Sequence, residues 1–66
     1  VQVVINGTPK EIPPGETVAA LLERLGLHSQ PCAVEVNRDL VTKALHPTTP
    51  LRDGDRVEIV TLVGGG

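Results

Sequence analysis

One stretch restricts the fold more than any other. Val18, Leu21, Leu22 and Leu25 stand at i, i+3, i+4 and i+7, the apolar stripe of an amphipathic helix. Thr17 precedes them and fits the N-cap, where a hydroxyl accepts from a free backbone N–H. Glu23 and Arg24 take the wet side. Gly26 suits the left-handed position just past a helix end, and Leu27 can fold back on Leu22 as in a Schellman cap. The spacing predicts a helix over Val18–Leu25. Two turns do not hold together alone in water. The helix must lie on a sheet, and the rest of the chain must supply it.

The flanking segments read as strands. Val1, Val3 and Ile5 alternate against Gln2 and Asn6, with Val4 the exception, as in a strand with one buried face. Asn6-Gly7 is a hairpin signal, because both residues tolerate the positive φ of a tight turn. A short second strand is expected through Lys10–Ile12, stopped by Pro13-Pro14-Gly15. After the connector His28–Pro31, a third strand runs Cys32–Asn37, with Cys32, Val34 and Val36 on one face and Glu35 on the other. Asn37-Arg38-Asp39 is turn chemistry, and Leu40–Thr42 a short fourth strand. Lys43–Leu51 holds Pro47 and Pro50 and is expected to be an ordered loop over the core. Asp53-Gly54-Asp55 is another turn, and the last strand follows over Arg56–Leu62. One helix on one face of a mixed sheet of four to five strands is an α+β solution in two layers. A crossover between its parallel strands is expected to be right-handed.

With 66 residues there is room for one small domain. Phe, Tyr, Trp and Met are absent, so the core must come from Val, Leu, Ile and Ala. Without aromatics there are no stacking platforms for single strands. With a net charge of −2 and scattered basic residues, the footprint of a nucleic-acid binder is missing. No apolar run is long enough for a membrane helix, and the expected compartment is the cytoplasm. A single cysteine makes no internal disulfide.

The sequence closes on Val63-Gly64-Gly65-Gly66, directly after the apolar last strand. The expected division is a folded domain over 1–62 and a tail over 63–66 that is mobile when free. Glycines gain no packing and lose the most backbone entropy on ordering. What they offer is slimness: a thread without Cβ atoms enters a slot closed to any side chain. Three extended residues reach roughly 10 Å. That is enough to carry the Gly66 carboxylate into a partner's active site through a channel filled by Gly64 and Gly65. On the last strand Val57, Ile59 and Thr61 share one face, and Glu58, Val60 and Leu62 the other. If the first set is core, Val60 and Leu62 are surplus apolar residues beside the tail. With Val63 they are the candidate docking residues for partner enzymes.

Other reactive residues carry less. Cys32 has no neighbouring cation to lower its pKa and reads as a small buried hydrophobe. His28 and His46 lack zinc-ligand spacing and read as surface or loop residues. Asp53, Asp55 and Glu58 read as a solvated turn and strand face. No metal site and no resident cofactor are expected.

The element order resembles the β-grasp fold of ubiquitin. The ending Asp53-Gly-Asp-Arg-Val-Glu-Ile-Val-Thr-Leu-Val-Gly-Gly-Gly66 resembles the ThiS family, sulfur carriers of thiamine biosynthesis. So do the first strand with Asn6-Gly7, the helix entry Pro14-Gly15-Glu16-Thr17-Val18 and the strand end Val36-Asn37. The resemblance implies a carrier and not an enzyme. An ATP-using adenylyltransferase related to ubiquitin-activating enzymes (ThiF-type) would adenylate the Gly66 carboxylate. A sulfur donor such as a cysteine desulfurase route would convert it to a thiocarboxylate, and a thiazole synthase (ThiG-type) would take the sulfur. The small subunit of molybdopterin synthase shares the fold and the Gly-Gly end, but its members tend to be longer, often with aromatic residues near the C-terminus. A tRNA-thiolation carrier and a ubiquitin-like protein modifier use the same terminus and stand as alternatives, as does a plain interaction module with an inert tail.

Overall fold

The structure, a computed structural model, describes residues 1–62. Val63, Gly64, Gly65 and Gly66 lie outside the described residues, and so do the expectations placed on the tail. Helix α1 runs Val18–Arg24, with Leu25 as its C-cap. Thr17 Oγ1 accepts from Ala20 N at 3.2 Å, which satisfies one of the free donors of the first turn. At the other end Gly26 takes φ 74°. Leu27 N donates to Leu22 O at 2.8 Å and Gly26 N to Glu23 O at 3.0 Å, the bond pair of a Schellman cap. Both ends are closed by the residues that the local pattern singled out.

The sheet is built from β1 (Gln2–Ile5), β2 (Thr8–Glu11), β3 (Cys32–Val36), β4 (Asp39–Val41) and β5 (Arg56–Thr61). Their order across the sheet is β2-β1-β5-β3-β4. The central pair β1–β5 is parallel; β1–β2, β3–β4 and β3–β5 are antiparallel. Val18, Leu21 and Leu22 of α1 meet the inward residues Val3, Val34, Val57 and Ile59, and Ile12 and Leu51 complete the buried set. The half-buried Val1, Ile5, Cys32 and Val36 pack against it, as the alternation predicts. This is the mixed five-stranded sheet under one short helix of a β-grasp fold.

Two segments differ from their expected form. β2 starts at Thr8 rather than Lys10 and takes in Pro9. It is an edge strand, and Ile12 N donates to Val1 O, so alternation turns the nitrogen of Pro9 away from β1. The region expected to be a loop contains a 3₁₀ helix over Lys43–Thr48 with Pro47 inside it. Leu45 N donates to Thr42 O, and Thr49 Oγ1 donates to Leu45 O at 2.7 Å. Proline is tolerated because so short a helix asks for few N–H donors. The segment is held to α1 by Val18 N donating to Thr49 O and Leu51 N to Glu16 O, either side of a Thr17–Pro50 bridge.

Candidate functional site

β5 is the strand that leads to the glycines, and the fold fixes it on both edges. Along the β3 edge the pairs run from Val36–Val57 to Cys32–Thr61. Leu62 N then donates to Pro31 O at 2.8 Å, which continues the register by one pair. Along the β1 edge Asn6 N donates to Val57 O at 2.9 Å. There β1 turns away into the hairpin, with Asn6 at φ 49° and Gly7 at φ 83°. The Asn6 side chain takes over: Oδ1 accepts from Ile59 N at 2.8 Å and Nδ2 donates to Ile59 O at 3.0 Å. β5 is therefore held on both edges as far as Ile59, and on the β3 edge alone from Val60 to Leu62.

The near end of β5 is locked by side chains as well. Asn37 Nδ2 donates to Asp55 Oδ1 at 2.9 Å, and Asn37 Oδ1 accepts from Arg56 N at 3.0 Å. Asp55 Oδ2 accepts from Arg52 N and Asp53 Oδ1 from Gln2 N, both at 2.8 Å. Asp53 and Asp55 are thus turn-forming acceptors rather than freely solvated charges. Glu58 stands exposed on the strand face, as expected.

The faces of β5 divide as the alternation predicts. Val57 and Ile59 are buried, while Val60 and Leu62 are 58% and 51% exposed; Thr61, expected on the inner face, is exposed because it lies near the end of the strand, past the buried core. On the same outer face, Ala33 lies directly across from Val60, Glu35 across from Glu58, and Leu40 across from Glu35. Leu40 is also exposed. Val60 and Leu62 are therefore surplus apolar residues on the tail-bearing strand. The further candidates Val63, Gly64, Gly65 and Gly66 lie outside the described residues.

Three other residues can be placed. His28 is exposed, as expected. His46 is not: it is the buried residue of the 3₁₀ helix, with Nε2 bonded to Val41 O at 3.0 Å. The expectation of a surface or loop residue fails for His46, because the segment expected to be an ordered loop winds into a 3₁₀ helix with His46 on its inner side. Cys32 is half-buried, its thiol donating to Gln30 O at 3.4 Å, and it packs as a small core residue. Among the described residues no three His, Cys, Asp or Glu side chains gather as metal ligands. No helix there is long and apolar enough to cross a membrane.

The ThiS family model matches residues 3–66. The chain belongs to the ThiS family. The sulfur carrier protein ThiS of Thermus thermophilus is 39% identical over 62 residues, 94% of this chain and 95% of that protein. A thiazole synthase of Paramagnetospirillum magneticum is 42% identical over 65 residues. That alignment takes in 98% of this chain, which spans only 20% of that relative's length. In the crystal structure of a ThiS thiamine biosynthesis protein from Geobacter metallireducens, the same fold covers 100% of both chains, with a TM-score of 0.81 and 29% identity. ThiS membership and that likeness agree with the β-grasp topology, and the match to the family includes all three terminal glycines.

Proposed function

We propose that this chain carries sulfur in thiamine biosynthesis, as a thiocarboxylate on Gly66. A last strand held on both edges as far as Ile59, and on its β3 edge as far as Leu62, carries the reading, because it gives the following residues a fixed base. A carboxylate with an ordinary pKa of about 3.5 is an anion at neutral pH and a poor electrophile. Loss of oxide from it is not feasible. Attack of the Gly66 carboxylate on the α-phosphate of ATP, in an activating partner, forms the acyl-adenylate and releases pyrophosphate. A persulfide on a donor protein then attacks the acyl carbon and AMP leaves. A second thiol cleaves the resulting S–S bond, giving the thiocarboxylate and a disulfide. The carrier supplies only the reacting terminus, so it is a substrate of its partners and not an enzyme.

The outer face with Val60 and Leu62 is the surface on which the activating enzyme docks, and Gly64 and Gly65 pass through its channel. The sulfur acceptor is a thiazole synthase. Support comes from the relative of that name, one segment of which is similar to this whole chain. Incubation with an activating enzyme of the adenylyltransferase class, ATP and a persulfide donor tests the reading by intact mass. Exchange of one oxygen for sulfur on the free chain supports it. Conjugates of higher mass on lysines of other proteins would make the chain a modifier instead.

A further inference from the structure

A cleft of about 170 Å³ lies between α1 and the 3₁₀ helix, lined by Ala19, Leu22, His28, Lys43, His46 and Pro47. Its lining divides by chemistry. Ala19, Leu22 and Pro47 give an apolar surface, and His28, Lys43 and His46 give three basic nitrogen groups. No carboxylate lines it, although the chain carries 8 acidic residues against 6 Lys and Arg. Among the described residues Lys43 has no carboxylate partner within 4.0 Å. The walls are already tied together through Val18 N to Thr49 O at 2.9 Å and Leu51 N to Glu16 O at 2.8 Å. His46 is oriented too. Val41 O can only accept, so Nε2 carries the proton of that bond and is already engaged.

We propose that this cleft binds a small carboxylate, its acid group against Lys43 and His28 and its carbon atoms against Ala19, Leu22 and Pro47. The larger hollow beside it on α1, lined by Glu16, Ala20, Glu23 and Arg24, does not compete for such a ligand. There Arg24 is held by Glu16, whose hydrogen bonds and charge also raise the Arg24 pKa. A phosphate would leave the apolar wall of the cleft uncovered. The titratable groups lining the cleft are His28, Lys43 and His46.

A free carboxylic acid and an Asp or Glu side chain of a partner protein present the same group, and the test separates them. Backbone amide NMR spectra of the full chain are followed with sodium propionate, against sodium phosphate and sodium chloride at equal ionic strength. The expected result is saturable shifts at Ala19, Leu22, Lys43 and His46 with propionate, with a Kd on the order of 10 mM. Lys43→Ala should weaken it by about tenfold while the remaining spectrum stays folded, and Lys10→Ala should leave it unchanged. Propionate displaced by the activating enzyme or by a thiazole synthase assigns the carboxylate to that partner; simultaneous binding assigns it to a free acid. Shifts that match chloride, fail to saturate or survive Lys43→Ala overturn the proposal. None of these readouts depends on sulfur transfer, so the site stands or falls apart from the carrier function.

Discussion

Asn6 holds Ile59 by both edges of its carboxamide, with Oδ1 accepting from Ile59 N at 2.8 Å and Nδ2 donating to Ile59 O at 3.0 Å. The pair spans 53 positions of sequence and substitutes a side chain for the residue that β1 would have contributed had it not turned. Asn6 thereby serves the hairpin through its positive φ and the last strand through its amide.

Asn6→Gly separates those two roles. Glycine accepts φ 49° without strain, so the turn survives, but both bonds to Ile59 are lost. Each bond contributes about 0.5–1.5 kcal/mol net. A loss of about 1–3 kcal/mol in denaturant titration is expected, with amide exchange at Ile59 faster than at Val34. Unchanged stability would mean that water replaces the carboxamide at no cost.

Leu22 is 6% exposed, on the stripe that meets the sheet. Leu22→Ala should destabilise by about 2–5 kcal/mol, because a buried leucine leaves a cavity as well as losing its transfer energy. Small domains have about 5–15 kcal/mol in total. A midpoint that does not move would remove Leu22 from the core.

Arg38 stands at φ 72° in the two-residue turn between Val36 and Asp39, after Asn37 at φ 52°. This is the second central position of a type I′ turn, where glycine is favoured. The left-handed conformation costs a non-glycine residue about 1–2 kcal/mol, partly offset by the greater unfolded-state entropy of glycine. Arg38→Gly is therefore expected to raise stability by about 0.5–1 kcal/mol. A lower thermal midpoint would show that the Arg38 side chain contributes more than its backbone loses.

How far the fold was legible follows from the range of each interaction. Thr17, Gly26 and Leu27 close α1 through bonds within a few residues, and Asn6-Gly7 makes a turn of its own; such features are written locally. The inward and outward sides of β5 were legible because the period of a strand is two. The clamp from Asn6 to Ile59 was not, since nothing near Asn6 names a partner so distant. His46 was misread for a related reason. Pro47 and Pro50 signal a break in regular structure, and the burial of His46 depends on the segment folding down beside α1. Asp53 and Asp55 read as solvent-facing charges because their donor partners, Gln2, Asn37 and Arg52, come into place around them only in the fold.

Leu62 bears on docking. It is half exposed, so Leu62→Glu should keep stability within about 0.5 kcal/mol. In the carrier reading it should weaken binding to the activating enzyme, since docking must then strip water from an unpaired carboxylate. Calorimetry of the complex measures this. Unfolding of the variant would place Leu62 in the core, and unchanged affinity would move the docking surface off this face.

The tail residues are tested by reach and by width. Deleting Gly66 withdraws the reacting carboxylate by one residue, about 3.5 Å along an extended chain. Attack on the α-phosphate needs the reacting atoms within about 3–3.5 Å, so a displacement of that size removes the productive geometry. Adenylate formation, followed as pyrophosphate release, is expected to fall by at least about 100-fold. Gly65→Val keeps the length and adds a branched side chain where the proposed channel admits only backbone. It should reduce adenylation comparably while leaving the denaturation midpoint of the domain in place, because the clamped strand ends its described pairing at Leu62. A deletion variant that is adenylated and thiolated at the normal rate would mean that tail length is not read. A Gly65→Val variant of normal activity would mean that the channel is wide, and that the glycines serve flexibility alone.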